Sequence, residues 1–153
     1  MMQAEILYDL CNRLQKEHIS VAFETALAFP WKVIHRMTEC ADLFLVDFKM
    51  FDNEKHKEYT GTENTLIKEN LKKLVNYRPI MIRLPIIKGI NDEIENAALG
   101  RNIKSVEFLP YHDFGVEKAK HVGVNQQMFE APDEKQLELL KEVYRSKKID
   151  VVE

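Results

Sequence analysis

The sequence predicts an α/β protein: an incomplete (β/α) barrel of four parallel strands with flanking helices. Three observations predict it. The hydrophobic period switches repeatedly between two-residue alternation and helical spacing. Strands that alternate with helices pair in parallel, because a parallel neighbour is reached only by a long connection, which the helix supplies. The 153 residues, 45% of them hydrophobic, suffice for one core and a single domain over 1–153, but four strands are too few to close a barrel, which needs about eight.

Taken in order, residues 4–17 carry a helical stripe of Ile6, Leu7, Leu10, Cys11 and Leu14, and residues 20–23 read as a buried strand. Pro30 stops further extension, and residues 31–38 restart a helix with Val33, Ile34 and Met37 on one side. LFLVDF, residues 43–48, is the second strand. A polar stretch follows, then a helix over 65–77, capped by Asn64 or Thr65, that turns Ile67, Leu71, Leu74 and Val75 inward. IMIRLPII, residues 80–87, is the third strand; the turn KGIND leads into a short helix ending at Leu99, and SVEFLPYH, residues 105–112, is the fourth strand. A loop with Gly115 and Gly123 precedes a last helix over 133–145, with Leu137, Leu140 and Tyr144 facing in.

A net charge of −3 with both signs interspersed gives no long-range field for nucleic acid or an anionic membrane. The longest apolar runs, about six residues, fall far short of the roughly 20 that span a bilayer. Residue 1 onward lacks a basic, apolar, small-residue signal pattern, so a cytoplasmic location is expected. Cys11 and Cys40 lie 29 positions apart with no further cysteine or histidine at metal-ligand spacing, and read as reduced core residues rather than metal ligands.

The polar residues inside the strands carry the functional argument. Residues two apart in a strand share a face, so Leu43, Leu45, Asp47 and Lys49 point one way while Phe44, Val46, Phe48 and Met50 point the other. Strand one ends in Glu24 and Thr25, strand three carries Arg83 before Pro85, and strand four ends at His112. Asp47 and Arg83 are 36 positions apart and Arg83 and His112 are 29 apart, each about one α/β unit, so the groups gather at one rim. That rim is where parallel α/β proteins bind ligands. Each residue taken alone also has a structural explanation as a strand-end ion pair or loop histidine. Together they suit a zwitterionic ligand, with lysine or arginine for a carboxylate and acids for an ammonium or small cation.

ETA at residues 24–26, DLFLVDFKMFDNEKHKEYTG at 42–61, IRLPIIKGIND at 82–92 and VEFLPYHDFG at 106–115 resemble, in order, blocks of the glycyl-radical-enzyme activases. These are relatives of pyruvate formate-lyase activating enzyme in the radical S-adenosylmethionine superfamily, and the likeness runs over roughly residues 3–123. The resemblance implies a partial barrel of the TIM type and an oxidoreductase of anaerobic metabolism. In that family a CxxxCxxC motif holds a [4Fe-4S] cluster, an electron donor reduces it, and S-adenosylmethionine is cleaved to a 5′-deoxyadenosyl radical. The radical then takes a hydrogen atom from a glycine of a partner such as pyruvate formate-lyase. The same resemblance implies cosubstrate-binding roles: Lys49 toward the methionyl carboxylate; Glu24, Thr25 and Asp47 around its amino group or a nearby monovalent cation; Arg83 and His112 completing the nucleoside and methionyl contacts.

The departures are as informative. No CxxxCxxC and no GGEP stretch occurs, and two cysteines cannot replace three thiolate ligands. The sequence therefore reads as the C-terminal portion of an activase, lacking the cluster-binding units and holding no catalytic or metal residue of its own. The alternative is a cluster-less module of the same fold that docks on a partner protein without catalysis. Leu27 stands where the family has glycine, Lys88 where it has proline, and Ala119 where a tyrosine often follows Lys118. An arc without its first strands also exposes the backbone edge of strand one, which predicts self-association through that edge.

Overall fold

The computed structural model describes residues 4–92, 103–123 and 128–152. Along them run α1 (Ala4–Lys16), β1 (Ala22–Thr25), α2 (Trp31–Thr38), β2 (Leu43–Asp47), α3 (Asn53–Thr60), α4 (Thr65–Leu74), β3 (Ile80–Ile86), β4 (Ile103–Pro110), α5 (Phe114–His121), α6 (Glu134–Ser146) and β5 (Asp150–Val152). The strands form one parallel sheet in the order β1-β2-β3-β4-β5. Sequential parallel strands joined by right-handed crossovers put their helices on one face. Burial follows that rule: Ile80, Ile82, Leu84 and Ile86 of β3 are buried, whereas Met81, Arg83 and Pro85 between them are only half-buried.

The core lies between that buried face and the helices. Phe44, Val46, Ile80, Ile82, Val106 and Phe108 of the sheet pack with Ile34 and Met37 of α2, Ile67, Leu71 and Leu74 of α4, and Leu140 and Tyr144 of α6. Burial of each such side chain stabilises the fold by about 1.5–3 kcal/mol before entropy. The parallel architecture and the helix at 31–38 match the sequence reading, and the four expected strands form; β1 starts and ends two residues later than expected, β4 starts and ends two residues earlier and so stops short of His112, the helix expected over 65–77 ends at Leu74, and the one expected over 133–145 runs from Glu134 to Ser146.

Four elements differ from that reading, each for a local reason. α1 turns Tyr8 and Cys11 inward instead of the full aliphatic stripe, and leaves Ile6 and Leu10 at 62% and 50% exposure. Polar partners on α2 and at its C-cap accompany this rotation: the Tyr8 hydroxyl donates to Glu39 at 2.6 Å, Arg36 stacks on the Tyr8 ring, and Arg36 pairs with Glu5. The polar stretch after β2 folds into α3, which buries only His56 and so carries no apolar stripe; its ends are fixed by Asp52, which accepts from the Lys55 N–H, and by left-handed Gly61. α5 forms where a loop is expected. β5 extends the sheet beyond four strands; Lys148, at φ 60°, ends α6 and turns the chain into it. The expected short helix ending at Leu99 lies outside the described residues. Among the described residues no helix is long and apolar enough to cross a membrane.

Candidate functional site

Register decides which side chains meet on the open face. Asp47 on β2 lies beside Arg83 on β3, and Arg83 lies beside Glu107 on β4. The guanidinium of Arg83 donates from Nε to Glu107 at 2.9 Å and from Nη1 to Glu24 at 2.8 Å, with Asp47 3.9 Å away. Lys49, just past β2, donates to Asp47 at 3.1 Å. Four strands thus contribute to one charged cluster of three acids and two bases, with a formal charge of −1. Burial pulls the Arg83 guanidinium down, but the Glu107 hydrogen bond and the charges of Glu24, Glu107 and Asp47 outweigh it and raise its pKa.

Of the residues the sequence singles out, Glu24, Asp47, Lys49 and Arg83 come together here. Thr25 does not join them: it pairs with Val46 on the buried face and accepts the Leu27 N–H at 3.0 Å, so it shapes the loop after β1. His112 lies in the exposed link between β4 and α5. Glu107 is the member that sequence reasoning missed. Its signal was present, since inside SVEFLPYH it stands between Val106 and Phe108, at the parity opposite to those core positions.

Three asparagines hold the surrounding backbone. Asn91, 7% exposed, donates to the carbonyls of Lys49 and Pro85 at 2.7 Å each and accepts the Ile87 N–H at 2.8 Å, which ties the end of β2 to the end of β3. Asn64, fully buried, donates to the Met50 and Phe51 carbonyls at 2.8 and 3.0 Å. Asn70 of α4 donates to the Leu27 and Phe29 carbonyls at 2.9 and 2.8 Å. Lys49 is therefore carried by a backbone segment braced on both sides.

Among the described residues no group of three or more His, Cys, Asp or Glu side chains could hold a metal ion. Both cysteines are buried and free of disulfides, and the Cys11 thiol donates to the Cys40 carbonyl. An iron–sulfur cluster needs three or four thiolates, so the residues present do not fit one.

Comparison with known proteins places the chain. It is 31% identical to the trans-4-hydroxy-L-proline dehydratase activating enzyme of Clostridioides difficile over 153 aligned positions, 93% of this chain and 51% of that protein. It is 34% identical to the choline trimethylamine-lyase activating enzyme of Oleidesulfovibrio alaskensis over 80% of this chain, and 40% identical to the pyruvate formate-lyase-activating enzyme of Staphylococcus epidermidis over 68%. By sequence, the chain belongs to the glycyl-radical-enzyme activating enzymes. No family model matches it. This activating-enzyme chain spans about half the length of the curated relatives it matches. The crystal structure of a domain of pyruvate-formate lyase-activating enzyme from Bacteroides vulgatus superposes with a TM-score of 0.81 over 99% of this chain and 91% of that one, at 22% identity, which supports the fold.

Proposed function

We propose that the chain is the cosubstrate-binding, C-terminal portion of an activase that installs a glycyl radical on a partner enzyme, and that its open face receives S-adenosylmethionine. The observation that carries this reading is the joining of Glu24, Asp47, Lys49 and Arg83 into one cluster on that face. S-adenosylmethionine carries a carboxylate, an ammonium and a sulfonium, a net charge of +1 that complements the cluster's −1. Lys49, whose side chain is 41% exposed, receives the carboxylate, and Glu24, at 57%, accepts the ammonium together with Asp47. In the whole protein an iron–sulfur cluster would supply the reducing chemistry. This chain's residues hold no such cluster; they bind and orient the methionyl group. The partner is a glycyl radical enzyme of the pyruvate formate-lyase kind, reached from the open side of the sheet.

Calorimetric titration of the chain with S-adenosylmethionine tests the reading. Lys49→Gln removes a hydrogen bond between ions and is expected to weaken binding about tenfold or more. Absence of heat with the parent chain at millimolar ligand, or equal affinity in the variant, would sink it.

A further inference from the structure

We propose that Glu107 is the positioning residue of this site: it fixes Arg83 by its Nε, so that the guanidinium holds Glu24 and Asp47 on the open face and Lys49 remains the receiver of a ligand carboxylate. This rests on the binding reading above. Arg83 stands on the middle strand of the described sheet with an acid beside it on each neighbouring strand, Asp47 on β2 and Glu107 on β4. A guanidinium is a rigid planar fork, so fixing Nε also fixes the direction of both terminal nitrogens. With Nε given to Glu107 at 2.9 Å, Nη1 faces Glu24 at 2.8 Å and Asp47 at 3.9 Å. Arg83 is thereby committed to acids of the protein. Among the described residues Lys49 has a single carboxylate partner, Asp47 at 3.1 Å, for an ammonium with three N–H donors, and is the more exposed of the two bases. Glu107 is the least replaceable acid of the three, because Glu24 is more exposed and Asp47 is shared with Lys49.

Glu107→Met, which keeps length but has no acceptor, and Glu107→Gln, which keeps an acceptor oxygen, separate positioning from packing. Solvent exchange of the Arg83 Nε–H is followed by NMR in the ligand-free chain, and affinity for S-adenosylmethionine by calorimetry. Glu107→Met is expected to speed that exchange and weaken binding about tenfold, the effect of one charge-assisted bond, while Glu107→Gln stays close to the parent in both. Unchanged Nε–H exchange or unchanged affinity in Glu107→Met overturns the proposal. If the parent chain shows a protected Nε–H but takes up no S-adenosylmethionine, the binding reading fails, and the anchoring of Arg83 is judged by the exchange comparison alone.

Discussion

Leu27 is fully buried yet held at φ 57°, in the left-handed region that costs a residue with a Cβ about 1–2 kcal/mol. Thr25 and Asn70 hold the loop in that shape, and the leucine side chain joins the buried core. Leu27→Ala retains the strain and opens a cavity, an expected loss of about 2–5 kcal/mol in urea denaturation. Leu27→Gly relieves the strain and should be the more stable of the two, reversing the usual ranking of these residues; the opposite order would show that the loop is unstrained. Titration offers a second check at this scale. Burial, and then the hydrogen bond with Cys11, push the Cys40 thiol up to about 12 from an ordinary 9.0, and burial raises the Tyr144 hydroxyl to about 12 from 10.0. The unfolded chain releases these protons first, so the native state binds more of them and stability falls as pH rises toward 12, from about 9 for Cys40 and from about 10 for Tyr144, by about 1.4 kcal/mol per unit for each. Unfolding midpoints at pH 8, 9 and 10 should drop less steeply in Cys40→Ala than in the parent.

The segment that carries Lys49 is shaped by Asn91 and Asn64. Asn91→Ala orphans the Lys49 and Pro85 carbonyls and the Ile87 N–H, and is expected to cost about 2–4 kcal/mol. Asn91→Asp keeps the acceptor for Ile87 but turns a carboxylate toward two carbonyls; it should be less stable than Asn91→Ala at pH 7 and recover at acid pH as the carboxyl becomes protonated. Denaturant midpoints of the two variants at pH 7 and pH 4 decide the matter. The elements were legible in the sequence where apolar periodicity is strong, as in β2, β3, α4 and α6. α3 was not, because its order comes from the Asp52 cap, Gly61 and a buried His56 bonded to the Thr62 carbonyl rather than from a hydrophobic stripe. Glu24, Asp47, Lys49 and Arg83 were legible as a set because strand parity fixes their face. Thr25 shows the limit: next to Glu24, it turns to the opposite face and into the backbone of its own loop.

Across the molecule, one face of the sheet is sealed by helices and the other presents the charged cluster, with β1 at the sheet edge. Light scattering is expected to show an apparent mass rising above the 18.0 kDa monomer as concentration increases, because the outer backbone groups of β1 have no described strand beside them. A constant monomer mass would show that four residues, Ala22–Thr25, are too short an edge to recruit another chain. The strand order has a separate implication for how the fold comes apart. Among the described residues each strand pairs with its neighbours in chain order, so the sheet is a linear array in which every unit is supported by nearest neighbours. Such an array loses order from its ends inward, and its amide protons should record a gradient: slowest exchange in β3, which has two full partners, and fastest in the three-residue β5 and in β1.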